Sequence, residues 1–315
     1  MPAAAEPSAS LLSALHEKLA LRALADGSAS AQPGESESSV EATVWRALAL
    51  RLARTDAAAS AQAAAEAVAR LQGPDGRVSL SALHPGAYSP TSVAILGWHG
   101  RPKFAGARER AVAFLLEHRG DHFPRSPESA LSMDTDLAGW PWIDRTFSWA
   151  EPTALALLAL ESIGEGDHPR AREGRALLLD RQIASGGWNY GNARVFGSDL
   201  RPAPESTGLV LAALAGHVPA DSVARSLAYL ETVAATVRTP LALGWACLAS
   251  NAWGAARGEV RRPSDSKTDP GQAAAIHETL ARESRYGSYD SADLALLAVA
   301  AASPRGLLDA LRESA

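Results

Sequence analysis

A glycine-aromatic joint recurs along a chain that otherwise reads as helix, and a recurring unit constrains architecture more than any single residue does. The fullest copy is EGRALLLDRQIASGGW, in which Gly174, Leu178, Gln182, Gly186 and Trp188 set the frame. Ala64, Val68, Gln72, Gly76 and Val78 repeat it, with valine in place of tryptophan. Worn copies put Arg119, Ala234 and Glu283 at the glutamine position, so the equivalents fall at 72, 119, 182, 234 and 283. A second element precedes each copy. It is an apolar run opened by Thr43, Thr91, Thr153 or Thr207, with looser starts near Thr239 and Ser291.

Alanine and leucine dominate these runs and are among the best helix formers. No segment shows a sustained two-residue alternation, so the chain is expected to be all-α. A helix apolar on every side must be buried on every side. The opening runs are therefore inner helices, and the charged second helices, such as HPRAREGRALLLDRQ, are outer ones. About six such helix hairpins close into an α6/α6 toroid, a barrel with parallel inner helices. The boundaries expected are a single toroid over residues 41–315, preceded by an N-terminal amphipathic helix and a mobile loop over residues 1–40.

The Gln182-x-x-x-Gly186-x-Trp188 frame resembles the QW repeat of the squalene/hopene and oxidosqualene cyclases. It is similar more widely to the prenyltransferase and squalene cyclase α/α toroid superfamily. That resemblance implies a central cavity for an isoprenoid or similarly apolar substrate. It also implies, as in class II terpene cyclases, proton-initiated cyclisation by an Asp-x-Asp-Asp acid. Asp134-Thr135-Asp136 keeps the first two acids of that motif, while Leu137 stands in the last place. Aligned instead on the start of an inner helix, Glu151 takes the place of the proton donor. Such an acid must be dry and pre-organised, because an alkene is a poor base.

The catalytic candidates are thus Asp134, Asp136 and Glu151. Glu41 and Glu205 also lie two residues before a repeat threonine, where a helix N-terminus favours an acid for structural reasons alone. The longest connection, between Arg119 and Thr153, holds Trp140, Trp142 and Trp149. Long loops on a rigid scaffold tend to carry function. These tryptophans, with Trp188 and Tyr190, are the expected substrate-binding wall, since aromatic faces stabilise a cation. A plug of aromatics closing one end of the barrel is the structural alternative.

The remaining composition removes other classes. A net charge of −5 offers no basic field for nucleic acid. One cysteine, Cys247, excludes an internal disulfide framework and fits a reducing, cytoplasmic setting. It lacks the aspartate two residues earlier that the zinc site of protein prenyltransferases uses, so no metal site is expected. No cofactor is expected either, with Mg²⁺ entering only for a diphosphate substrate. No apolar run is long enough to span a bilayer, which leaves peripheral membrane contact open. Two other readings stand beside the cyclase one: a non-catalytic toroid that binds a ligand or partner, and a carbohydrate-active α6/α6 enzyme with two rim carboxylates.

Overall fold

The computed structural model describes residues 7–52, 58–81, 83–121, 133–195, 197–258 and 268–314. Six inner helices stand in a ring: α2 (Val40–Leu52), α4 (Pro90–Trp98), α6 (Ala150–Ser162), α8 (Pro204–Leu214), α10 (Pro240–Ala256) and α13 (Ser291–Ala301). Each packs on the next, and α13 packs back on α2, so the ring closes. The outer layer is α1 (Pro7–Ala20), α3 (Ala58–Arg70), α5 (Ala105–Glu117), α7 (Pro169–Asp180), α9 (Ala224–Ala234) and α11 (Pro270–Ala281). Two short helices, α12 (Glu283–Tyr286) and α14 (Leu307–Glu313), and a two-stranded ribbon, β1 (Arg194–Val195) with β2 (Ser198–Asp199), complete the described elements. This is the expected all-α toroid. Among the described residues no helix is long and apolar enough to cross a membrane.

Burial follows the two kinds of helix. All nine residues of α4 are buried, and so are eleven of the thirteen in α6. The outer α5 buries only Ala111, Phe114 and Leu115. Cys247 lies in this core, where burial pushes its thiol up to about 12.

The repeat threonines are clamps. The hydroxyls of Thr43, Thr91, Thr153 and Thr207 accept the backbone N–H of Ala29, Val78, Trp140 and Trp188 at 3.0, 2.9, 3.0 and 3.0 Å. Each ties the loop arriving from an outer helix to the first turn of the next inner one. The glycine joint does the same between outer helices. Gly186 has φ +101°, and a Cβ there would lie 2.5 Å from the Arg225 carbonyl oxygen on α9. Only glycine accepts both that angle and that approach. Gln182 reaches across the same seam, donating to Ser226 Oγ at 2.8 Å.

One boundary differs from the sequence expectation. Residues 7–20 do not precede the toroid but supply its sixth outer helix. Leu11, Leu15 and Leu19 are fully buried, and α1 packs on α13 and α11. The following loop, expected to be mobile, takes a defined path. Ser28, Ala29 and Ser30 are buried, and Ser291 donates its hydroxyl to the Ser30 carbonyl at 2.7 Å. Gly27 with the Ala23–Ala29 bridge repeats the geometry of Gly76 with the Gln72–Val78 bridge.

Thr207→Val keeps the shape of the clamp and leaves the buried Trp188 N–H without an acceptor. It is expected to cost about 1–3 kcal/mol in urea unfolding. Thr232→Val on the exposed face of α9 is expected to stay within about 0.5 kcal/mol.

Candidate functional site

The parallel inner helices bring all their N-termini to one mouth of the barrel. A repeat threonine points outward to its loop, so the residue two places earlier points toward the axis, and so does the one four residues further on. The pairs that result are Glu41 with Trp45, Glu151 with Leu155 and Glu205 with Leu209; Leu241 with Trp245 follows the same spacing, counted from Leu243 in the threonine place. All eight line one cavity of about 140 Å³. Trp142 of the long loop also lines it. Trp45 and Trp245 belong to helices that are not ring neighbours. Their rings meet edge to face at 5.8 Å.

The electrostatics of this mouth are one-sided. Three carboxylates line the cavity and, among the described residues, no lysine, arginine or histidine does. Burial raises the Glu151 carboxyl above its usual range. A hydrogen bond from Ser206 Oγ to Oε1, at 2.7 Å, opposes the rise, and the charge of Glu205 adds to it. Among the described residues, none donates a hydrogen bond to Oε2 of Glu151. Burial against the mouth, then the charges of Asp290 and Asp293, also raise Glu41, although that residue as a whole stays exposed at the rim. Asp293, in the first turn of α13, is pushed up to about 6 by burial and by Asp290. Among the described residues no group of three or more His, Cys, Asp and Glu side chains could hold a metal ion.

The structure separates the residues that the sequence groups as one site. Glu151 and Trp142 line the central cavity. Trp140 and Trp188 do not. They are 1% and 0% exposed, and their indole N–H groups donate to the Leu115 and Leu178 carbonyls of the outer helices. The Arg170 guanidinium also lies over the Trp140 ring, at 4.4 Å. Both indoles are wedges between layers, because the joint position points into the seam rather than toward the axis.

Asp134 and Asp136 sit outside the ring. The Asp134 N–H donates to the Asp180 carboxylate at 3.0 Å, its carbonyl accepts from Arg181 at 3.0 Å, and Asp136 is exposed. Trp149, with Leu137, Phe147 and Arg181, lines a separate cavity of about 150 Å³ in the loop layer. Residues 122–132 of the same insert lie outside the described residues. Tyr190 is 57% exposed.

Sequence reasoning misses Trp45, Trp245 and Asp293. Trp45 was within reach, since it stands four residues after Glu41. Trp245 was harder to find because leucine holds the acid position of its helix.

No family model matches the chain, and no curated protein matches it. Solved structures do. An inactive variant of an alpha-1,6-mannanase of Salegentibacter, in complex with alpha-1,6-mannotriose, is similar at TM-score 0.59 and 12% identity, over 96% of this chain and 99% of that one. A variant of a type II terpene cyclase from Scytonema, in complex with geranylgeranyl dihydroxybenzoate, is similar at TM-score 0.59 and 15% identity, over 97% and 98%. A protein from Actinoplanes is similar at TM-score 0.55 and 18% identity, over 98% and 99%. The shared fold is the α/α toroid.

The raised acids make stability depend on pH with a defined sign. Folded Asp293 holds its proton up to about pH 6, above the value for the unfolded chain. Its contribution is therefore complete at low pH and is lost as pH rises through about 6. Asp293→Asn is expected to raise stability above that pH by about 1–2 kcal/mol, allowing for solvent screening at the mouth. Urea unfolding from pH 4.5 to 8 measures this, with a flatter profile expected for the variant.

Proposed function

We propose that the central cavity is an active site in which Glu151 gives a proton to an apolar, isoprenoid-like substrate and so starts a cyclisation. The observation that carries this reading is the Glu151 carboxyl itself. It is half-buried at the wall of a cavity lined by tryptophans, raised by that burial, and held through one oxygen by Ser206. When protonated, a carboxyl in such a place can deliver its proton to a substrate that fills the mouth and displaces water from it.

In the proposed reaction the alkene π pair takes the Glu151 proton to form a C–H bond. The neighbouring carbon becomes cationic, and a second π bond of the same chain closes a ring onto it. Loss of a proton to a carboxylate ends the sequence, so the net change is an isomerisation. The faces of Trp45, Trp142 and Trp245 would stabilise the moving charge, and the step needs no metal.

A second reading has its own support. Glu151 and Glu205 stand on adjacent helices at the same open mouth, as a pair of carboxyls would for cleaving a glycosidic bond. The mannanase likeness agrees with that reading as fully as the cyclase likeness agrees with the first.

Incubation with squalene, geranylgeraniol and an alpha-1,6-mannan, followed by product analysis, separates the two. A cyclised product is expected, with at least about a hundred-fold loss in Glu151→Gln. Its rate is expected to fall as pH rises past the raised Glu151 value. Release of oligosaccharides instead would replace the cyclase reading with the glycosidase one. Turnover of none of these would leave a toroid that binds without catalysis.

A further inference from the structure

A larger cavity, of about 330 Å³, lies at the opposite end of the barrel. It is bounded by the C-terminal ends of α6, α8 and α10 and covered by α14. Leu158, Ala212, Ala252 and Leu307 give it apolar walls. Its rim is charged but balanced. Arg312 pairs with Glu161 at 3.0 Å and with Asp309 at 3.2 Å, and Arg305 pairs with Asp309 at 3.2 Å. His217 lies 3.2 Å from Glu161, and burial lowers its pKa.

The two cavities are separated by less than one helical turn. On α6, Leu155 lines the upper one and Leu158 the lower; on α8, Leu209 lines the upper and Ala212 the lower. Three residues of helix rise about 4.5 Å. Glu151, Leu155, Leu158 and Glu161 thus form one stripe down α6, about 15 Å long, with the candidate proton donor at its top.

We propose that the two cavities are the ends of a single channel along the barrel axis, closed by the side chains of Leu155, Leu158 and Leu209, and that it takes an uncharged linear apolar chain about 15 Å long. This rests on the reading that the central cavity receives an apolar substrate. The leucines open the channel by changing rotamer, with no movement of the helices. Charge selects the ligand. The upper end has carboxylates and no base. The lower end balances two arginines against two carboxylates and also receives three helix C-termini, which carry partial negative charge. Neither end attracts an anionic head, so the channel favours a hydrocarbon or an alcohol over a carboxylate or a diphosphate of the same length.

Binding of hexanol, dodecanol and dodecanoate, followed by calorimetry and by tryptophan fluorescence, tests this without any turnover. Dodecanol is expected to bind at least ten-fold tighter than hexanol, and tighter than dodecanoate. Leu158→Trp fills the passage and is expected to bring dodecanol down to the affinity of hexanol. Ala212→Leu, a smaller filling of the lower cavity, is expected to have the same effect if the tryptophan variant does not fold. Equal affinity for the two alcohols, tighter binding of dodecanoate, no binding of any of the three, or dodecanol binding unmoved by both variants would each overturn the channel. Chain-length dependence without any cyclised product would remove the catalytic reading and leave the channel standing. Product formation without chain-length dependence would do the reverse.

Discussion

A helix with no polar face has nowhere to stand except inside other protein, and the rest of this structure depends on that constraint. Six such helices cannot stack in a layer, because each would still show one side to water. In a ring, the outer helices cover the outside and the inner helices cover one another. Only the two ends of each inner helix then escape full burial. Polar chemistry is confined to the ends of the barrel, and the axis between them is lined by Leu155, Leu158 and Leu209.

A ring of repeats must also close, and closure falls to contacts between the chain's two ends. Each clamp and joint ties one unit to the next, as in a linear repeat protein. The last inner helix, α13, has no following outer helix to pack on its outside, and α1 from the other end of the sequence fills that place. Lys18 pairs with Glu283 at 2.6 Å, and Arg22 donates to the Tyr289 carbonyl at 3.3 Å. Loss of α1 would therefore expose a face of the ring rather than trim an appendage.

The fold was legible in the sequence because its signals are periodic: apolar runs opened by threonine, and glycines at a fixed distance from a glutamine. α1 was less legible. Its joint has alanine at residues 23 and 29, where the two fullest copies carry Gln72 with Val78 and Gln182 with Trp188, so only Gly27 keeps the pattern. The candidate site was legible where chemistry and position coincide, at Glu151. It was not legible among the tryptophans. Trp140 and Trp188 are as large and aromatic as Trp45 and Trp245, yet they fill the seam between layers while the latter pair meets across the axis. Composition does not report the direction of a side chain. The count of residues from the repeat threonine does so for Trp45, two places after Thr43. Asp293 was hidden differently, because its raised pKa comes from burial and from Asp290, which caps the same helix by accepting the Ala292 N–H.

The position of Glu151 sets two effects against each other. A helix N-terminus stabilises the carboxylate, and burial beside apolar walls destabilises it. Asp26 shows the opposite outcome on an exposed loop, where the Ser28 hydroxyl and N–H hold its carboxyl below the usual range. Glu151 also has a serine donor, and its carboxyl is raised nonetheless. Burial, joined by the charge of Glu205, therefore outweighs the hydrogen bond from Ser206 at that one place. The same burial leaves the acids around the mouth without a countercharge. A ligand that brought its own negative charge would meet repulsion at this end and no net attraction at the other. The burial that raises the Glu151 carboxyl thus goes with a mouth that offers no countercharge to an anionic ligand.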